Sequence, residues 1–200
     1  MGKKFAAVLV VLVMLTVPLF SRNIFEIGLG LSGIYEGNPN ESMDQLMEGM
    51  AAGTNWLIGV EGAVRLAVVN ITALAMPNDV ADNSLTLMST IGLSLPVIND
   101  FLYADIGTGL RTNFEFPNDG ESSVNGRYVS QTNFVQTVNS SPIHFRTALN
   151  FLFGKASLAI AYYWESQATV QTVQDLGGWA KLFQPGEMAN IGISLRISLF

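Results

Sequence analysis

The feature that most constrains this chain is a two-residue alternation, repeated from Ile24 to the C-terminus. Phe25, Ile27, Leu29, Leu31, Gly33 and Tyr35 occupy odd positions, with Glu26, Gly28, Gly30, Ser32, Ile34 and Glu36 between them. Successive side chains of a strand point to opposite faces, so a segment of this kind is a strand with one apolar and one polar face.

Seven more segments read the same way. The second runs over 54–66, with Trp56, Ile58, Val60, Gly62, Val64 and Leu66 opposite Gly59, Glu61, Ala63 and Arg65. A parity slip near Val68 and Val69 predicts a tight turn into the third, through Ile71, Ala73 and Ala75 to Met76. Pro77 to Asn83 reads as a loop, Ser84 to Leu95 as the fourth strand, and "PVIND" at 96–100 as a turn. The fifth sets Leu102, Ala104, Ile106, Leu110 and Phe114 against Tyr103, Asp105, Gly107, Gly109, Arg111 and Asn113. After a long polar stretch, Glu115 to Ser141, whose centre is expected to form a projecting hairpin, the sixth sets Ile143 to Phe153 against His144, Arg146, Ala148 and Asn150. "GK" at 154–155 fits a two-residue hairpin turn. The seventh carries Leu158, Ile160, Tyr162 and Trp164 opposite Ser157, Ala159, Ala161, Tyr163 and Glu165. A connection over 166–188 precedes the eighth, "NIGISLRISLF", with Ile191 to Leu199 opposite Gly192, Ser194, Arg196 and Ser198.

The connections run long, short, medium, short, long, short, long. Barrels that cross membranes have an even number of strands and sort their connections in this way. Composition agrees: 13% charged residues, beside 49% apolar ones, is well below the roughly 25% charged of soluble domains. Lys3 and Lys4 precede an apolar run from Phe5 to Phe20, and Ser21, Arg22 and Asn23 follow, the order of a secretory signal. The run is shorter than the roughly twenty residues of a spanning helix. Residues 1–21 are therefore expected to be a signal peptide and 24–200 the barrel. With no cysteine, the chain has no disulfide, no lipid-modified cysteine and no thiolate metal site. Once the signal is set aside, nothing in the sequence approaches a spanning helix, and a closed barrel is the other structure that satisfies every backbone group within a bilayer.

Parity alone leaves open which face is inward. A soluble, lipocalin-like barrel puts the apolar face inside; a membrane barrel inverts it. Three features favour inversion. Aromatic residues (Phe25, Tyr35, Trp56, Phe114, Phe153, Trp164) sit towards strand ends on the apolar face, as in interfacial girdles. The polar face is rich in small residues, which suits a narrow lumen. Its basic residues are arginines, whereas Lys155 and Lys181 lie in connections. The expected lumen network comprises Glu26, Glu61, Asp105 and Glu165 with Arg65, Arg111, Arg146 and Arg196, since arginine's planar fork suits confined pairing with carboxylates. His144 is expected to be a further hydrogen-bonding lumen residue.

With signal, strand count, loop alternation and terminal Phe200 in view, the chain over 24–200 resembles the small eight-stranded outer-membrane β-barrels, the group of the OmpW/OprG, OmpX and OmpA types. The resemblance implies an all-β, antiparallel up-and-down transmembrane barrel in outer-membrane lipid. It also implies a final Phe200 read by the barrel-assembly machinery, although Phe200 is one residue out of phase with Ile191 to Leu199. The barrel lipid A deacylases of this group carry His-x-Ser; here the sole histidine lies in "HFRT", so no catalytic residue is expected.

No metal-ligand spacing, phosphate loop or nucleophile elbow is present, no cofactor is expected, and a pI of about 4.6 argues against nucleic acid. Two functional readings remain open. One is a structural or surface-interaction, porin-like barrel. Its loops carry Glu41, Asp44, Glu48, Asp79, Asp82, Glu115, Asp119, Glu121, Asp175 and Glu187 against Arg127 and Lys181, a surface for cations or a basic host protein. The other, implied by the OmpW/OprG resemblance, is passage of small hydrophobic molecules. For this the loop segment "SMDQLMEGMA" offers a short helix capped by Ser42 with Gln45, and Met43, Leu46, Met47 and Met50 on one face.

Overall fold

A computed structural model describes residues 25–199, apart from 37–41, 54, 80–82, 99, 132 and 176. The expected signal peptide and Phe200 lie outside the described residues. Eight antiparallel strands form the wall: β1 (Phe25–Tyr35), β2 (Trp56–Leu66), β3 (Val69–Asp79), β4 (Ser84–Ile98), β5 (Leu102–Glu115), β8 (Pro142–Phe153), β9 (Ala156–Thr169) and β10 (Pro185–Ser198). Each pairs with its neighbours in chain order, and β1 pairs with β10, so the sheet closes into a ring. A two-residue ribbon, β6 (Ser123–Val124) and β7 (Arg127–Tyr128), hangs from β5. The loop-end connections hold short helices α1 (Met43–Ala52), α2 (Phe134–Ser140), α3 (Val170–Gln174) and α4 (Trp179–Leu182). Among the described residues no helix is long and apolar enough to cross a membrane.

Register fixes the geometry of the ring. Paired residues lead from Phe25 through Leu66, Val69, Leu93, Ile106, Thr147, Tyr162 and Ile191 back to β1 at Tyr35, ten positions further on. Ten steps of about 3.3 Å against eight strand spacings of about 4.8 Å give a tilt of about 40° and a backbone radius of about 8 Å. At that tilt the stretch from Phe25 to Tyr35 is about 25 Å tall, the height of the apolar band of a membrane barrel.

Parity then sorts the wall. Leu29, Leu31, Ile58, Val60, Ile71, Ile91, Ile106, Ile160, Leu195 and Ile197 all face outward and are exposed. Ser32, Glu61, Thr72, Thr90, Asp105, Arg146, Asn150 and Ser194 face inward and are buried. This is the inverse of a lipocalin-like barrel, whose interior is apolar. The soluble alternative fails on this point.

The tight connections fall where alternation breaks. The β2–β3 turn is Ala67–Val68, with Ala67 at φ 54°, and the β8–β9 turn is Gly154–Lys155, with Gly154 at φ 68°. Several strands outrun their alternating stretches. β3 continues through Pro77 to Asp79, and β4 through Pro96 to Ile98, each with a register shift just past the proline. A proline has no N–H for the ladder, and a bulge takes up the mismatch. β9 runs on to Thr169 and β10 starts at Pro185, which shortens the connection expected over 166–188. The hairpin expected within 115–141 is confined to the ribbon around Asn125–Gly126, both at positive φ as a type I′ turn requires. The "NFVQ" stretch that follows is instead a helix start, Asn133 and Gln136 forming a capping box.

Candidate functional site in the barrel lumen

All nine ionisable residues expected in the lumen face inward. Each arginine meets one carboxylate: Arg65 with Glu26 at 2.5 Å, Arg111 with Glu165 at 3.3 Å, Arg146 with Asp105 at 3.4 Å and Arg196 with Glu61 at 3.3 Å. Four acids and four arginines leave the lumen neutral.

The pairs are tied together by uncharged side chains. Asp105 Oδ2 accepts from Asn70 Nδ2 at 2.8 Å and Asn150 Nδ2 at 2.6 Å, besides Arg146 Nη1. Arg146 Nε donates to Tyr163 Oη at 3.1 Å. Asn150 Oδ1 accepts from Arg196 Nη2, which links Asp105 to the next pair. Glu61 Oε2 then accepts from Ser32 Oγ at 2.6 Å and Ser194 Oγ at 2.5 Å, across the closing seam between β1 and β10. One connected network thus draws on seven of the eight ring strands. A buried charge is tolerated only when paired and hydrogen-bonded, and each central guanidinium and carboxylate has several partners. Room for Arg146 comes from its ladder neighbour Gly107 and from Gly92 beyond it. A Cβ at Gly92 would lie 2.2 Å from Ile106 O, so no larger residue fits that close approach.

Nearer the turns, a cavity of about 30 Å³ is lined by Glu26, Arg65, Asn70, Asp105, Asn150 and Arg196, room for one or two water molecules. A smaller one, about 10 Å³, lies beside Arg146 and Asp105. Towards the loop end the interior turns apolar, which the parity of the strands does not announce. Ile34, Leu74, Met76 and Met88 point inward from β1, β3 and β4 at the loop end and cluster with Ala148, Ala161 and Tyr163, with Leu57 of β2 packed beside them. In the sequence these residues look like lapses in the polar face; in the barrel they seal it. Arg111 and Glu165 occupy the opposite wall near this level.

His144 is fully buried and its Nε2 lies 2.9 Å from Thr90 Oγ1. Its nearest ring is Tyr163, at 6.3 Å. Glu165 is its ladder neighbour on β9. Among the described residues no group of three or more histidines and carboxylates is placed to hold a metal ion.

Five of the six aromatic residues expected in the girdle fall into two bands on the outer wall. Phe25 and Phe153 mark the turn end, where Phe101 packs edge-on against Phe153 at 5.9 Å. Phe114, Trp56 and Trp164 mark the loop end, with Trp164 stacked on Phe145 at 5.2 Å. Tyr35 departs from expectation: it has outward parity but is buried, because α1 covers it.

No family profile matches the chain and no curated protein does. Among the solved structures that share similarity with it are two of one protein. Ail, the attachment invasion locus protein of Yersinia pestis, is 10% identical with a TM-score of 0.43, the match covering 87% of this chain and 95% of that chain. Ail in complex with the heparin analogue sucrose octasulfate gives 12% identity and a TM-score of 0.38, over 87% of this chain and 96% of that one.

Proposed function

We propose that the chain is an integral β-barrel of the bacterial outer membrane, exported by a signal peptide over residues 1–21, that conducts no solute and acts as a structural and surface-interaction protein. The observation that carries this reading is the inverted wall around a filled lumen. The apolar band faces outward, and the interior is occupied by an ion-paired network at the turn end and an apolar seal at the loop end. Eight strands leave room for side chains and little else. An OmpW-like passage for small hydrophobic molecules needs a continuous path, and the seal and the pairs stand across it.

Charge is distributed so as to leave activity to the rim. The lumen is neutral and the turn end carries only Asp100 and Lys155. By sequence, the connections of the loop end carry the ten loop acids named above and Glu36 against two cations, Arg127 and Lys181, a net charge of −9. Phe134 and Phe183, in those connections, are 81% and 82% exposed, and Trp179 is exposed as well. An acidic surface with exposed aromatics suits a basic, partly apolar partner such as a host surface protein, with long-range attraction speeding encounter.

Reconstitution in planar bilayers tests the closed barrel. The expected result is heat-modifiable gel migration, which reports the folded barrel, with no steady open-channel current. A folded protein that carries sustained current or takes up small hydrophobic solutes would transfer the assignment to transport.

A further inference from the structure

The outward face of β1 changes character at its end. Leu29 and Leu31 are 51% and 61% exposed, whereas Tyr35, of the same parity, is 1% exposed. The cover is α1. Ser42 and Gln45 close a capping box at its start and Gly53 ends it in the left-handed region at φ 72°, so the ten-residue helix is terminated at both ends. Gly49 lies against Tyr35 so closely that a Cβ there would be 1.9 Å from the phenol oxygen. The Trp56 ring sits 5.8 Å from that of Tyr35, and its Nε1 donates to Met50 O at 3.0 Å. Trp56 itself lies over outward-facing Gly33. The first loop therefore folds down over the outside of the wall.

Helical spacing sorts what α1 presents. With Gly49 and Met50 towards the wall, Asp44 and Glu48 point away from it, and Met47 joins Met50 on one flank while Gln45 and Ala52 take the other. Met47 is 60% exposed. On the same outer face as the covered Tyr35, the wall exposes the apolar side chains of Leu31, Ile58 and Val60.

We propose that α1 is an interfacial helix, its methionine flank in contact with the outer-leaflet lipid and its acidic side in water. Tryptophan and tyrosine favour this level of a bilayer, and a short amphipathic helix lies there with its apolar side about 5–10 Å into the boundary. The proposal rests on the membrane reading of the barrel, and its test separates the two.

The chain has no cysteine, so a single substitution takes a single label. Met47→Cys, Glu48→Cys, Ile58→Cys and Asp119→Cys, each labelled with an environment-sensitive fluorophore, are reconstituted in phosphatidylcholine vesicles carrying a shallow spin-labelled lipid. The label at 47 should be quenched by the lipid probe to within twofold of that at 58, and the labels at 48 and 119 should respond instead to aqueous iodide. Adding Gly49→Leu, which removes the helix from Tyr35, should lower lipid quenching at 47 at least twofold and leave 58 unchanged. Iodide quenching at 47 equal to that at 119, with 58 still quenched by lipid, overturns the interfacial helix and spares the barrel. Loss of lipid quenching at 58 as well overturns the membrane reading beneath it. Indifference of position 47 to Gly49→Leu overturns the docking on Tyr35.

Discussion

The two halves of the lumen fill the same narrow space by opposite means. Near the turns, Asp105, Asn70, Asn150 and Arg196 are linked by hydrogen bonds, Glu26 pairs with Arg65, and small polar cavities remain. Near the loops, Ile34, Leu57, Leu74, Met76 and Met88 pack together, on a wall that faces the pair Arg111 with Glu165. The difference teaches that closure and cohesion are separate tasks. The polar half ties strands together through shared carboxylates; the apolar half excludes water, as hydrophobic constrictions do in channels.

The sharpest way to break the contrast is to remove the shared carboxylate. Asp105→Ala leaves Arg146 buried without its ion pair and takes an acceptor from two asparagines, at an expected cost of about 3–5 kcal/mol. Urea titration of the folded barrel in detergent micelles, read by gel mobility, measures it. The double variant Asp105→Ala with Arg146→Met should recover part of the loss, because an apolar replacement for a buried pair is often neutral. In the apolar half, Leu74→Ala should cost about 2–3 kcal/mol, the lower part of the range for core leucines, since the neighbouring methionines can relax into the space. Combined with Met76→Ala and Met88→Ala it should give a small ion current absent from the parent; a sealed triple variant would show that the ion pairs alone close the lumen. The smallest effect belongs to Glu26→Gln. That pair is 13% and 19% exposed against 2% and 5% for Arg146 with Asp105, and partial hydration limits the loss to about 1 kcal/mol. An effect at Glu26 as large as at Asp105 would erase the gradient of burial along the lumen.

The polar half is legible in the sequence and the apolar half is not, for a physical reason. Parity alone assigns Glu26, Glu61, Asp105 and Arg146 to one face, because a charge on the lipid side is costly and the alternation is therefore strict. An apolar side chain on the inward face incurs no such cost, so Ile34 or Met88 breaks the pattern without announcing a role. Strand ends fade similarly. Beyond the apolar band no bilayer enforces alternation, and Pro77–Asp79, Ser166–Thr169 and Pro185–Ala189 join the sheet without a sequence signature. Tyr35 misleads in another way: its parity is outward, but Gly49, which lies against it, is fourteen residues away in sequence. The one loop feature that sequence does expose is the capping box of α1, since Ser42 and Gln45 carry their own local hydrogen bonds.

The seam between β1 and β10 has a consequence for the order in which the strands are written. Leu199 N–H donates to Ile27 O at 2.8 Å, so the two extremities of the ring lie side by side at the turn end. Ring closure is then indifferent to which strand comes first. A circular permutant that joins these extremities by a short linker and opens the chain within 117–122 retains all eight pairings and places both new ends at the loop end, where a fused tag would be displayed on the face proposed to meet a partner.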